Sequence, residues 1–218
     1  MARVRAGTMA GCIVPRMKCL FLDIASHDGL IALVSEREVI THHDIHARIS
    51  DRELVSFVEE LLIKARWSYA DLTHIACIIG PGGFMSLRVA VSFTNTIASQ
   101  LRIPSVGIHL SDVYAARVSR DDVLWIHSTK KTEVFVRGFG AYQSIWPQPI
   151  HLSLHEAINA FPQDAFWIGE LLPDHEKAME ERGFRRAVMR DTIEILPLFL
   201  AKQSYSQQNM VPWYGREW

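Results

Sequence analysis

Apolar residues recur along the chain with two distinct periods. The run Cys19-Leu20-Phe21-Leu22-Asp23-Ile24-Ala25 is nearly continuous and broken by one aspartate, the pattern of a strand covered on both faces. Gly29 opens a second strand through Leu30 to Ser35, and Val39 to Thr41 gives a third. Ser26-His27-Asp28-Gly29 supplies turn residues between the first two, which predicts a hairpin. Helical spacing then takes over. Leu54, Phe57, Val58, Leu61, Leu62 and Ala65 fall on one face of a helix over 50–65, and Ser50 and Glu53 have the spacing of a capping box.

His74 to Ile79 reads as a buried strand that breaks at Gly80-Pro81-Gly82-Gly83, and a helix follows over Phe84 to Leu101, stopped by Pro104. Further along, strands are predicted at Ser105 to Ile108, Val123 to Ser128, Glu133 to Phe139 and Asp164 to Gly169. Helices are predicted at Ser111 to Val118 and Asp174 to Arg182. The tail from Gln203 is polar, then aromatic (Trp213, Tyr214, Trp218), and matches neither period; no internal sequence repeat is evident. A hairpin followed by alternating strands and helices predicts a mixed α/β sheet. It is unlike a dinucleotide-binding domain, whose first strand feeds straight into a helix.

The helix over 84–101 is apolar on more than one side. Phe84, Leu87, Val91 and Ala98 share one face, and Val89, Phe93, Ile97 and Leu101 share an adjacent one. Arg88, Ser92, Asn95 and Ser99 form a narrow polar stripe. Two readings fit: a central helix covered wholly by its own domain, or a helix with one side on a sheet and the other on a second subunit.

Composition narrows the choices. With 218 residues, 49% of them hydrophobic and 22% charged, the chain can bury a core without disulfides or metals. A net charge of -1 leaves no global basic footprint for nucleic acid or anionic membrane. Three cysteines (Cys12, Cys19, Cys77), none in a Cys-x-x-Cys pair, argue against a disulfide framework and a zinc ribbon and suit a reducing compartment. The apolar stretch near the start is short and interrupted by Arg16 and Lys18, so residues 1–16 are expected to be a disordered extension, with Met17 opening the fold. No run approaches the about 18 apolar residues of a membrane span.

Candidate chemistry is sparse. Gly80-Pro81-Gly82-Gly83 lies between a strand and a helix, where backbone N–H groups favour an anion, but no lysine follows to make a phosphate loop of Walker type. A tight turn with glycines chosen for conformation is the other reading. Asp23, ending the first strand, can cap the hairpin turn. His42 and His46 have ligand spacing but precede the helix, where a solvated cluster is expected, and no metal site is predicted. No Gly-x-Ser-x-Gly nucleophile elbow is present.

The run from Cys77 to Val89, with Gly80-Pro81-Gly82-Gly83-Phe84 and Leu87-Arg88, resembles the signature of the TsaB (YeaZ) family, a strand followed by Gly-Pro-Gly-Ser-Phe-Thr-Gly-Leu-Arg-Ile/Val. The flanks are similar too. Leu20 to Ser26 looks like the family's opening strand, Arg48 with Glu53 to Leu62 like its first helix, Ala70 to Ile75 like its approach to the loop, and Ile103 to Gly107 like the strand after the second helix. The similarity runs from about residue 18 to 118. Departures are Gly83 for serine, Met85 for threonine, Ser86 for glycine, Ser50 where histidine is common, and Ser128-Thr129-Lys130-Lys131 for Asp-Ala-Arg.

The resemblance implies a two-lobed actin/Hsp70/sugar-kinase-like (ASKHA) fold with mixed sheets. Residues 17–118 would form the first lobe, and 119–218 a smaller divergent lobe with the tail. It implies a cytoplasmic, non-catalytic subunit that pairs with the TsaD-like transferase in threonylcarbamoyladenosine modification of tRNA beside the anticodon. A TsaE-like ATPase would join, tRNA would be contacted only indirectly, and no cofactor would be needed. The family's interface helices correspond to Leu54, Val58, Leu61, Leu62, Phe84, Leu87, Arg88, Val91 and Asn95. TsaD-like relatives hold a metal with a His-x-x-x-His pair; the matching residues here are His109 and Val113, so that site is expected to be absent. The alternatives are a weak ATP-binding kinase or ATPase of the same fold, in which Asp23 would stand where such kinases steer the nucleotide, with Gly80, Gly82 and Gly83 beside it, and a homodimer with another role.

Overall fold

The computed structural model describes residues 17–46 and 49–215. The extension expected over 1–16, with Cys12, and the family-like Arg48 and the terminal Trp218 lie outside the described residues. Two five-stranded sheets form the frame. In the first, β1 (Lys18–Asp23), β2 (Gly29–Ser35) and β3 (Val39–Ile45) make an antiparallel meander. On the other side of β1, β4 (His74–Gly80) and then β5 (Ser105–His109) add in parallel. The helices α1 (Asp51–Ala65), α2 (Phe84–Leu101) and α3 (Leu110–Ala116) connect or follow these strands.

The second sheet repeats the connectivity. β6 (Val123–Lys130), β7 (Glu133–Phe139) and β8 (Ile150–Ser153) form an antiparallel meander. β9 (Phe166–Glu170) and β10 (Arg185–Arg186) add in parallel beyond β6. Helices α4 (Leu154–Ala160), α5 (Pro173–Glu181) and α6 (Thr192–Ala201) take the places of α1, α2 and α3. The chain is thus a topological duplication with no matching repeat in sequence.

Strand periodicity explains the layers. Cys19 and Phe21 on β1, with Ala76 and Ile78 on β4, face a core shared with Trp125, Phe135 and Ile168 of the second sheet. Leu20, Leu22, Ile75 and Cys77 point the other way, under α1 and α2. A strand with both faces covered has no polar positions to alternate with, hence the continuous apolar run. Each fully buried leucine of this kind stabilises the fold by about 1.5–3 kcal/mol. A third core lies under α4 and α5 and is built on Trp146, Phe161, Trp167 and Phe184. Cys19 and Cys77 are buried free thiols, pushed up to about 12 by burial.

The capping box forms as expected. The Glu53 amide donates to Ser50 Oγ at 3.3 Å and the Ser50 amide to Glu53 Oε2 at 2.7 Å. Residues 192–215, placed with the second lobe by sequence, instead return to the first. Helix α6 packs on α3, β2 and β3, burying Ile195, Leu196 and Leu200. The tail then pairs Ser206 with Ser105 and Met210 with Asn95, and the Trp213 amide donates to the Ile79 carbonyl at 2.8 Å.

Candidate functional site

The carboxyl ends of β1 and β6 meet at a cleft between the lobes, the place where α/β sheets of this kind take ligands. A cavity of about 360 Å³ lies there, walled by the turn Ile24–His27, by Gly82 and Gly83, and by His127 and Ser128. Asp23 lies beneath this turn. Its carboxylate accepts from the Ser26 hydroxyl at 2.6 Å and from the Ser26 amide at 3.2 Å, so it does cap the turn. Burial pushes its acid up to about 7; the Ser26 hydroxyl opposes that rise and the Glu170 charge adds to it.

The glycines have local structural work. A Cβ on Gly82 would stand 2.4 Å from the Ala25 carbonyl oxygen, and Gly83 donates its amide to that same oxygen at 2.9 Å. Gly80 has φ +148°, and a Cβ there would meet the Trp213 carbonyl oxygen at 2.1 Å. The loop therefore seats itself against the turn after β1 and the tail, and the Gly83 N–H already has a partner.

Three residues that sequence reasoning did not single out converge on the second-lobe wall. Glu170, at the end of β9, is 7% exposed and accepts from the Tyr114 hydroxyl at 2.7 Å and from the His27 amide at 2.9 Å. His127, on β6, is 1% exposed, and its Nδ1 lies 3.4 Å from Glu170 Oε2 with no hydrogen-bond partner. His27 Nδ1 is 4.0 Å from the same oxygen. Burial, with a smaller contribution from His27, depresses His127 to about 3. The sequence signal was slight: each of these residues lies at or just past the carboxyl end of an apolar run. Ser128, next in the chain, is tied to His175 Nδ1 at 2.8 Å, and His175 Nε2 lies 2.7 Å from the Lys131 carbonyl.

His109 is walled in. Its Nδ1 pairs with Ser111 Oγ at 2.7 Å, its ring abuts Trp125 and Trp213, and burial, reinforced by Arg137, depresses it to about 3. Four residues on stands Val113, whose side chain carries no metal-ligating atom. His42 lies on β3 and His46 just beyond it, each near an acidic side chain (Asp44 and Asp28).

The expected partner face needs correction. Leu54, Val58, Leu61, Leu62, Leu87 and Val91 are at most 4% exposed and form or adjoin the chain's own core under α1 and α2. Asn95 is bound to the tail through Met210. Only Phe84 and Arg88 of that set face outward, with the guanidinium 5.6 Å from the ring centre. Helical periodicity yields two apolar stripes on α2, and the sheet takes the one that includes Leu87 and Val91. The outward surface is the groove between α1 and α2, where Val55, Met85, Val89 and Phe93 are flanked by Arg52, Arg88, Ser92 and Thr96.

A family model described as TsaD, tRNA N6-adenosine threonylcarbamoyltransferase, matches residues 41–153, more than half of the chain. The chain belongs to this family. Its curated relatives include the tRNA threonylcarbamoyladenosine biosynthesis protein TsaB of Buchnera aphidicola (from Acyrthosiphon pisum), 24% identical over 98 residues, which are 43% of this chain and 44% of that protein. TsaB of Escherichia coli K12 is 24% identical over 92 residues, 42% of this chain and 40% of the relative. A Clostridioides difficile tRNA N6-adenosine threonylcarbamoyltransferase is 33% identical over 91 residues, 39% of this chain and 24% of that one. The chain thus spans less than half the length of these curated relatives. YeaZ from Pseudomonas aeruginosa shares the fold at a TM-score of 0.68 and 20% identity, covering 91% of this chain and 99% of that one. The expected TsaB/YeaZ kinship and the two-lobed fold both hold. Among the described residues no helix is long and apolar enough to cross a membrane.

Proposed function

We propose that this chain is a non-catalytic partner subunit in threonylcarbamoylation of tRNA, docking a TsaD-like transferase subunit through the outward groove of α1 and α2. One observation carries the reading: after both helices have covered their own sheet, an apolar strip remains outside, with Val55 39% and Met85 46% exposed. Side chains of this kind, ringed by Arg52, Arg88 and Ser92, have the make-up of an interface centre with a polar rim. Family kinship supports the choice of occupant, since the relatives carry the names of both a biosynthesis protein and a transferase. The loss of one histidine from the His109/Val113 positions supports a non-catalytic part. In this reading a TsaE-like ATPase joins the pair in the cytoplasm, and tRNA is held by the partner.

The test is a double substitution, Val55→Asp with Met85→Asp, on exposed positions that leave the core intact. Affinity for the transferase subunit should fall at least about 30-fold, the loss of a 2 kcal/mol anchor. Reconstituted tRNA modification should fall with it while the circular dichroism spectrum stays native. Undiminished binding would refute the groove, and full modification without this chain would refute the role.

A further inference from the structure

We propose that His27, His127 and Glu170 form a binding site for a divalent first-row transition cation of the zinc class, set in the cleft between the lobes. Their ligating atoms all lie within 4.8 Å of one another, with two of the three residues buried. A tetrahedral ion with bonds of about 2.0–2.2 Å holds its ligand atoms about 3.3–3.6 Å apart. His127 Nδ1 and Glu170 Oε2 already have that separation at 3.4 Å. His27 Nδ1, at 4.0 Å from the same oxygen, belongs to a half-exposed side chain on a turn, which a small rotation brings into range.

Two features point to a cation rather than to a self-contained polar cluster. His127 Nδ1 is buried beside a carboxylate oxygen yet makes no hydrogen bond, an arrangement that leaves a ligand position unfilled. Glu170 is a buried carboxylate, and among the described residues its ion-pair partners are only these two imidazoles. A buried anion without a permanent countercharge is costly, and a metal ion removes that cost.

The surroundings supply the outer support that such ions need. The Tyr114 hydroxyl fixes Glu170 Oε1 at 2.7 Å and the His27 amide fixes Oε2 at 2.9 Å, orienting the carboxylate toward both imidazoles. Two histidines and one carboxylate leave at least one coordination position, and here it faces the cavity lined by Ser26, Gly83 and Ser86. Because His27 comes from the first lobe and the other two ligands from the second, a bound ion joins the lobes. This site does not depend on the docking role, since the chain would carry it alone.

The experiment uses the full, untagged chain, stripped with chelator and titrated with Zn2+ by calorimetry and with Co2+ by visible absorption. One ion should bind per chain, with the Co2+ bands of a low-coordinate nitrogen–oxygen site and a raised Tm. His27→Ala, at a half-exposed position that does not threaten folding, should weaken binding by at least about 100-fold. Tyr114→Phe should weaken it about 10-fold by freeing the carboxylate. His42→Ala with His46→Ala, which removes two other exposed histidines at ligand spacing, should leave affinity unchanged. Absence of stoichiometric binding, or binding that survives His27→Ala but not the surface pair, would overturn the assignment.

Discussion

The two lobes share one connectivity and fill it differently. In the first, α1 and α2 run for 15 and 18 residues and cover their sheet with leucine, isoleucine and valine. In the second, α4 and α5 run for only 7 and 9 residues, and β10 for 2 against 5 in β5. Short helices carry few core positions, and the second lobe makes up the volume with large rings. Trp146 stands edge-on to Phe161 at 5.6 Å, and Phe161 to Phe184 at 5.7 Å. A topology can therefore be kept by strand order and alternation while the side chains that fill it change character. It follows that the first lobe should be the more resistant to local opening.

The largest effect expected is at Leu87 of α2, which is 1% exposed. Leu87→Asp places a carboxylate in the first-lobe core and should cost about 5 kcal/mol, close to the whole stability of a domain. Chemical denaturation should find the variant largely unfolded; a native midpoint would show that α2 is not held as described. Next come two tryptophans. Trp125→Ala, in the core shared by both lobes, and Trp167→Ala, in the outer core of the second, should each cost about 3–5 kcal/mol. Their patterns should differ: by hydrogen exchange Trp125→Ala loosens β1, β4 and β6 together, whereas Trp167→Ala releases α4 and α5 while β1 and β4 stay protected. Equal release in both variants would erase the distinction between the lobes.

A smaller effect lies at the seam, where His109 is depressed from an ordinary 6.5 to about 3. The folded state binds that proton less well than the unfolded chain, so this contribution to stability is whole above about pH 6.5 and is lost as pH falls toward 3. His109→Gln should remove up to about 2 kcal/mol of the wild-type loss between pH 6.5 and 5, read from urea midpoints at the two pH values. Identical acid profiles would show that His109 is solvated. The smallest and most closely matched pair is the capping boxes. Ser50→Ala on α1 and Ser153→Ala on α4 each break the same reciprocal bonds and should each cost about 1 kcal/mol by thermal melting. A much larger loss at Ser153 would mean that the short helix depends on its cap as α1 does not.

What the sequence reveals follows the same divide. Strands β1, β2, β4, β5, β6, β7 and β9 and helices α1, α2, α3 and α5 are legible to within a few residues because period and flanking breakers agree, and of β3 the first part, Val39 to Thr41, is legible too. Ile150–Ser153, Leu154–Ala160 and Arg185–Arg186 are too short for a period, and tertiary packing decides them. Helix α6 is hidden for the opposite reason: Ile-Glu-Ile-Leu-Pro-Leu-Phe-Leu has almost no polar face, because the helix is packed against α3 and the first sheet. On α2 the wheel shows two apolar stripes but not which one meets the sheet, so Leu87 and Val91 look like a docking face when they are core. The His27, His127 and Glu170 cluster gathers a turn and two strand ends, and only the second lobe's fold brings positions 127 and 170 together.

The aromatic end of the chain bears on how the halves can move. It is moored to the first lobe through Ser105, Asn95 and Ile79, while the Trp213 ring rests 5.1 Å from Phe135 of the second and Gly215 lies too close to Phe135 to accept a Cβ. It lies as a strap across the seam, so that drawing the two sheets apart on this side would require the Trp213 indole to leave the Phe135 ring, a contact made by a segment that contributes no strand to either main sheet.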